Sequence, residues 1–265
     1  MKGARARTEH AGTFHAFGVR VEVQSNRARL LDSVRKALGW AHVSSSSAPV
    51  ATRFRIAREA GQARYVVYER SRKLFECPGQ AMAVTRLESA IRIAVADRSR
   101  GRVFVHAGVV EWNGRAIVLP GRSFAGKSTL VASLLARGAK YYSDEYAVCD
   151  SRGRIHAFPR PLRLRTSAGK RSRGASERTR APTPPLKAGL IVAAPFDERR
   201  PSRLQSISSG NAVLALLDNT VSARSDPARA LAVLERVVVP AAALKGVRGE
   251  ATAFAEILLS RFATW

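Results

Sequence analysis

The sequence has no apolar run long enough to cross a bilayer, although hydrophobic residues make up 46% of its 265 residues. Its basic first residues lead into no apolar signal segment. Cysteine is scarce, and Cys77 and Cys149 lack the spacing of a zinc site or of a disulfide framework. We therefore expect a cytoplasmic protein that has no membrane partner and two reduced, buried thiols.

Acidic residues are also scarce. The chain has 20 Asp and Glu against 45 Lys and Arg, a formal net charge of +25, and the excess is dense between residues 160 and 180. Such a surface attracts phosphates, acidic peptides and nucleic acid. No aromatic residues alternate with these arginines, so nucleic acid is the lesser alternative to a protein or precursor-peptide substrate of acidic character. A solvated loop in an arginine-rich proteome is the simpler explanation of the segment and the one we favour. The sequence leaves a homo-oligomer open.

Two parts of the chain differ in their pattern. Residues 1–98 predict a small α+β unit: Thr13 to Gln24 alternates like a strand, Thr52 to Glu69 suggests two strands, and Ala81 to Ala96 has helical spacing. Residues 99–265 alternate strands with helices and carry the motifs described below. We therefore predict an α/β protein with two domains, 1–98 and 99–265.

A glycine-bearing loop stands between a short apolar strand and a helix. The strand is Ala116 to Leu119, the helix is predicted over Lys127 to Arg137, and the loop reads Gly121-Arg122-Ser123-Phe124-Ala125-Gly126-Lys127-Ser128. This loop fits GxxxxGK[ST], whose glycines let successive backbone N–H groups point at phosphate oxygens. The strand before it and the helix after it are the context that this motif requires.

The residue types in this loop suit a nucleotide. Gly126 permits close backbone approach, Lys127 would reach the β- and γ-phosphates, and Ser128 would ligate Mg²⁺. The positive end of the helix dipole would face the anion. We predict that ATP and Mg²⁺ are bound by Gly121, Arg122, Ser123, Phe124, Ala125, Gly126, Lys127, Ser128 and Thr129.

Carboxylates and an imidazole stand close to this loop in the sequence. Asp144 and Glu145 follow the short run Lys140 to Tyr142, about one helix and one strand after the loop. A nucleotide site needs a carboxylate near Mg²⁺ or near the attacking oxygen, and a compact αβ return would bring Asp144 there. An exposed acidic turn is the alternative. His106, on the strand before the loop, is by itself more often a core histidine than a catalytic group.

The order of these motifs resembles the catalytic domain of the HPr serine kinase/phosphorylase family and its relatives, which include the lasso-peptide precursor kinases. The resemblance covers about Phe104 to Asp150, with weaker likeness in Pro159 to Leu162, at Asn219 and in the helical tail. It implies a P-loop kinase core with a fold akin to phosphoenolpyruvate carboxykinase, a mixed sheet flanked by helices. A small N-terminal α+β unit would precede this core.

The resemblance also implies roles for individual residues. Asp144 would be the general base for a serine hydroxyl, His106 would lie by the γ-phosphate, and Glu145 or Ser128 would lie near Mg²⁺. The implied catalytic residues are Asp144, His106 and Lys127, the metal ligands are Ser128 and Glu145, and the substrate-binding residues are Arg160 and Arg163.

Two departures from the family narrow the hypothesis. The bifunctional enzymes carry a glycine at the position of Phe124 and an acid at that of Thr129, so we do not expect phosphorolysis of phosphoserine. We expect an enzyme, an ATP- and Mg²⁺-dependent kinase acting on a serine hydroxyl of a protein or peptide. The first alternative is a nucleotide-dependent regulatory or binding module without phosphotransfer. The second is a nucleic-acid-associated ATPase, which depends on charge alone.

Overall fold

A computed structural model describes residues 10–43, 49–59, 64–122, 125–158, 160–165, 171–173 and 183–262. The chain divides into two compact units, Met1–Gly101 and Arg102–Trp265. Both are α/β, with mixed sheets flanked by helices. In the parts of the chain so described, no helix is both long and apolar enough to span a membrane.

The first unit is a six-stranded sheet with two helices. Its elements are β1 (His10–Ala16), β2 (Val19–Ser25), α1 (Ala28–Ala37), β3 (His42–Val43), β4 (Thr52–Arg58), β5 (Tyr65–Glu69), β6 (Arg72–Cys77) and α2 (Gln80–Arg98). The strand order is β3-β1-β2-β4-β5-β6, in which β2 and β4 pair in parallel and the other neighbours are antiparallel.

The single strand expected over Thr13 to Gln24 is wrong. The chain turns there at Phe17 and Gly18, whose φ angles are 49° and 81°, so the segment belongs to the hairpin of β1 and β2. Ala16 and Val19, which close the hairpin, are both buried. The apolar alternation therefore continues across the two-residue turn. For this reason the sequence pattern does not reveal the turn.

The two helices of the first unit cover one face of its sheet. Helices α1 and α2 contact each other, and both contact β2. Alternate residues of the central strands face them, among them Val23 and Ile56, which are fully buried. The residues between these, among them Arg53 and Arg55, lie on the opposite face. No described helix of this unit packs on that opposite face.

The second unit is built on an eight-stranded sheet. Its elements are β7 (Val103–Trp112), β8 (Arg115–Pro120), α3 (Lys127–Leu135), β9 (Lys140–Ser143), β10 (Tyr146–Cys149), β11 (Ile155–His156), β12 (Arg163–Arg165), β13 (Arg171–Arg173), β14 (Ala188–Ala193), β15 (Arg203–Ser206), α4 (Ser209–Leu217), a 3₁₀ turn (Val221–Ala223), α5 (Pro227–Val238), β16 (Ala242–Val247) and α6 (Ala251–Phe262). The strand order is β11-β10-β7-β8-β14-β16-β15, and β9 also pairs with β7. Strands β8, β14 and β16 are parallel, and β12 pairs only with β13 among the described strands.

Helices cover both faces of this sheet. Val118 belongs to a core that includes residues of α4 and α5, whereas the adjacent Ile117 packs with residues of α3 and α6. A strand covered on both sides can be apolar at every position, which explains the continuous apolar run of β8. Asn113 and Gly114 make the predicted turn from β7 to β8. Their φ angles of 50° and 75° are both positive, as a two-residue type I′ hairpin turn requires.

Helix α3 ends two residues earlier than expected and lies very close to β7. Its last turn tightens, because the N–H groups of Arg137 and Gly138 donate to carbonyls three residues back, and Gly138 then adopts a φ of 95°.

The contact between α3 and β7 leaves no room for a side chain at Gly108. A Cβ atom added at Gly108 of β7 would lie 2.8 Å from Cγ2 of Val131. The absence of a side chain at Gly108 is therefore what lets the helix after the loop lie on the sheet.

This packing predicts that Gly108→Ala lowers the free energy of unfolding by about 1–3 kcal/mol, because the added methyl group overpacks the contact with Val131. The double variant Gly108→Ala/Val131→Ala should lose less stability than the two single variants lose together, by at least about 0.5 kcal/mol. Urea denaturation measures both. Gly210→Ala, in an exposed helical turn with open space around it, is the control and should cause no loss. Simple additivity of the two substitutions would contradict the proposed contact.

Candidate functional site

The loop, the histidine strand and the acidic pair meet in the second unit. The N–H group of Gly121 donates to the carbonyl of His106 at 3.1 Å, which seats the start of the loop on β7. On the other edge of β7, β9 and β10 pair one after the other and are separated by Asp144 and Glu145. Ala107 N–H donates to the carbonyl of Glu145 at 3.2 Å. This interruption of the strand places the acidic pair beside the loop.

The end of the loop is a left-handed glycine that begins a helix. Gly126 is the N-cap of α3 with φ 72° and ψ 16°, and no side chain caps the helix there. The first-turn N–H groups of a helix have no intrahelical acceptor. Those of α3 are therefore available, together with the positive end of the helix dipole, to an anion held in the loop.

Lys127 is buried across the mouth of this loop. The residue is 8% exposed, and its Nζ donates to the carbonyls of Gly121 at 2.7 Å and Arg122 at 2.9 Å. Burial lowers the pKa of Lys127 to about 8, and the charges of Glu145 and Asp144 oppose that decrease. The ammonium group remains mostly charged at neutral pH and lies at the place where the motif expects phosphate.

Asp144 links the loop helix to the strand β9. Ser128 Oγ donates to Asp144 Oδ2 at 2.8 Å. The Tyr141 hydroxyl lies 2.8 Å from Asp144 Oδ1 and 2.8 Å from the carbonyl oxygen of Arg160. Burial, and then the Asp144 charge, raise the pKa of Tyr141 above its ordinary value, so its hydroxyl is a donor. Asp144 is 7% exposed and is oriented by both contacts.

Glu145 lies between a cation and an imidazole. Arg160 Nη1 donates to Glu145 Oε2 at 2.7 Å, and His106 Nε2 lies 3.6 Å from Glu145 Oε1. The ring of His106 also meets that of Tyr146 edge-on, with 5.9 Å between centroids. The His106 and Glu145 side chains are 21% and 19% exposed, so both remain accessible. The two neighbouring acids therefore have different surroundings.

The predicted residues fall into three groups. The structure brings together those named in the preceding paragraphs. Arg160, which the resemblance implies as a substrate-binding residue, is among them, but it is buried against Glu145 instead of lying in an exposed basic segment. Thr129 lies in the first turn of α3 and is exposed. Ser123, Phe124 and the side chain of Arg163 lie outside the described residues.

Sequence reasoning missed two residues of the site. Tyr141 precedes Asp144 by three positions, and the sequence pattern marks it only as part of a strand. Arg248, 123 residues away from Ala125, is 2% exposed, and its Nη2 donates to the carbonyl of Ala125 at 3.0 Å. A Cβ atom at Gly126 would collide with that Nη2. The proximity of Tyr141 to the acidic pair was a usable signal, whereas nothing local marks Arg248.

The arrangement can hold an anion and a divalent cation side by side. No group of three or more His, Cys, Asp and Glu side chains clusters as a metal site among the described residues. Mg²⁺ does not need one, because it binds through one or two carboxylates together with phosphates and water.

No family model matches the chain, and a search of curated proteins found no match.

The buried position of Lys127 predicts an unusual titration. We expect a lysine ¹³Cε resonance that shifts with a midpoint near pH 8 and is missing in Lys127→Arg. Added tripolyphosphate should raise the midpoint, since a nearby anion favours the ammonium form. NMR of lysine-labelled protein, which has eight lysines, measures this. A Lys127 resonance that keeps the chemical shift of the ammonium form above pH 10, with no anion added, would contradict the buried position.

Removal of the Arg248 contact should loosen the loop. Arg248→Ala deletes the donor to the Ala125 carbonyl, and we expect ATP to bind about tenfold or more weakly, the value of one hydrogen bond from a charged group. Isothermal titration calorimetry measures the affinity. The exposed Arg203→Ala removes the same charge from β15 and should leave the affinity unchanged. Equal losses in the two variants would point to charge alone and not to loop geometry.

Proposed function

We propose that this chain is an ATP- and Mg²⁺-dependent kinase that transfers the γ-phosphoryl group to a serine hydroxyl of a protein or peptide. The observation that carries the proposal is the 2.8 Å hydrogen bond from Ser128 Oγ to Asp144 Oδ2. It joins the phosphate loop to the acidic pair, as metal-assisted phosphoryl transfer requires. The order β8, loop, α3 in a mixed sheet flanked by helices agrees with a P-loop kinase core akin to HPr kinase and phosphoenolpyruvate carboxykinase.

The phosphates would be held by the loop backbone and by Lys127. Its ammonium group would exchange the carbonyls of Gly121 and Arg122 for phosphate oxygens. Negative phosphate charge nearby would raise its pKa from about 8 and so keep it protonated. Arg248 would hold the loop in shape through Ala125 without contacting the phosphates itself.

Ser128 and Asp144 are the residues that would hold Mg²⁺. When bound, the ion would offset the charge that the phosphates carry during transfer. This assignment replaces the Ser128 and Glu145 pair that the resemblance implied. The reason is geometric: the Asp144 carboxylate contacts the loop serine, whereas the Glu145 carboxylate is paired with Arg160.

Glu145 is then the better candidate to receive the proton of the acceptor serine. Arg160 fixes one of its carboxylate oxygens, and the other lies toward His106. In the transfer step a bond forms between the serine oxygen and the γ-phosphorus, and the bond from that phosphorus to the β–γ bridging oxygen breaks. The hydroxyl proton passes to Glu145, and ADP leaves. Lys127 offsets charge on the transferred group.

Two conservative substitutions separate these roles. Asp144→Asn should lower the affinity for ATP in the presence of Mg²⁺ and leave the metal-free affinity unchanged, because it removes a carboxylate ligand. Glu145→Gln should leave both affinities unchanged and lower phosphoryl transfer by about 10²–10⁴-fold, the usual size of a general-base effect. Calorimetry with and without Mg²⁺, and transfer of ³²P from γ-labelled ATP to arrayed serine peptides, measure the two effects.

Glu235→Gln, an exposed acid on α5, is the matched control and should change neither quantity. Loss of the Mg²⁺ effect in Glu145→Gln but not in Asp144→Asn would restore the roles implied by the resemblance. Binding of ATP without transfer to any acceptor would refute the kinase and favour the nucleotide-dependent regulatory module instead.

A further inference from the structure

A basic cavity of about 770 Å³ lies in the first unit, on the face of the sheet that its helices leave open. The described residues that line it include no Asp or Glu, and four of them are arginines: Arg20, Arg53, Arg55 and Arg70. Neutral polar groups come from Gln24 and Thr52. Its size is within the range of about 300–1,000 Å³ typical of binding pockets. We call it the arginine cavity.

Two of these arginines form a regular pair. Arg53 and Arg55 stand two positions apart on β4, so their side chains leave the same face about 7 Å apart. The Arg55 guanidinium lies 4.3 Å from the centroid of the Tyr68 ring, a stacking contact that orients it. Arg53 Nε lies 3.5 Å from Glu22 Oε2, and the Arg53 side chain is 64% exposed. A contact that long leaves the guanidinium with donors for a ligand.

The edge of the cavity is held by backbone contacts. Arg70 N–H donates to the carbonyl of Arg53 at 2.8 Å, and Arg70 Nη2 donates to the carbonyl of Ala51 at 3.2 Å. Ala51 N–H in turn donates to the carbonyl of Arg20 at 2.8 Å. These hydrogen bonds connect the end of β5, the residues before β4 and the start of β2. The cavity is therefore a feature of the folded sheet and not of a single loop.

We propose that the arginine cavity binds an acidic segment of the polypeptide whose serine this kinase phosphorylates. The proposal rests on the proposed function and names the chemical class of its substrate. A guanidinium pairs with a carboxylate through two parallel hydrogen bonds. An extended peptide with acids at alternate positions presents carboxylates about 7 Å apart on one side, the spacing of Arg53 and Arg55.

The surroundings favour a peptide over a nucleic acid. Binding of single strands uses open aromatic faces on which bases stack. The ring that the described structure places against these arginines, that of Tyr68, is already covered by Arg55. Glu22 beside Arg53 would repel a continuous line of phosphates. A peptide of the proposed kind brings fewer negative charges to this face, because neutral residues separate its acids.

Fluorescence anisotropy of the full chain tests the proposal without any nucleotide. The probes are a labelled peptide with Glu at alternate positions, the same peptide with Gln, and a single-stranded oligonucleotide of equal charge. We expect the Glu peptide to bind best, to weaken with added salt, and to lose about tenfold in affinity in Arg53→Gln/Arg55→Gln. Arg29→Gln/Arg35→Gln, on α1 at the other face, removes the same charge and should retain binding.

The outcomes separate this proposal from the kinase itself. Lys127→Met should abolish phosphoryl transfer and leave peptide binding intact. If transfer fails in the wild type while the arginine-dependent binding persists, the kinase is refuted and the cavity stands. The cavity proposal is overturned if the Gln peptide binds equally well, if both double variants lose equal affinity, or if the oligonucleotide binds more tightly. Arg70→Gln gives a second test at an exposed position, and thermal unfolding checks the fold of each variant.

Discussion

The hydrogen bond between Ser128 and Asp144 connects the two segments on which the site depends. Ser128 lies in the first turn of α3, and Asp144 lies in the break between β9 and β10. That break exists because both strands pair with β7 and leave two residues between them. The position of α3 over β7 depends in turn on Gly108, which has no side chain to keep Val131 away. A change in either contact would move the carboxylate relative to the loop.

The charges of the site are nearly balanced, although the chain as a whole is strongly basic. The site contains three buried cations, Lys127, Arg160 and Arg248, and two acids, Asp144 and Glu145. Buried charges of this kind are stable only when they are paired or hydrogen-bonded. Each cation has an acceptor: loop carbonyls for Lys127 and Arg248, and Glu145 for Arg160. A small positive excess remains, and it suits a ligand with several negative charges.

The two neighbouring carboxylates, Asp144 and Glu145, have different surroundings. The Asp144 carboxylate accepts from two hydroxyl groups and lies against the loop, which suits a metal ligand. The Glu145 carboxylate is more exposed and lies between a guanidinium and an imidazole, which suits proton transfer to and from a substrate. Sequence adjacency could not distinguish them, because consecutive residues in a strand break can point in different directions. The roles proposed here for the two acids are the reverse of those that the resemblance implies.

Much of the local structure could be predicted from the sequence, because it depends on neighbouring residues. The loop motif, the Asn113-Gly114 turn, and the apolar periods of α2 and β8 are signals of this kind. The sequence could not show the turn at Phe17 and Gly18, since the apolar alternation continues through it. It also could not show that Arg248 holds the loop, that Arg160 is buried against Glu145, or that four arginines share one cavity. Those contacts join residues far apart in the chain, and only the packing of strands and helices decides which of them meet.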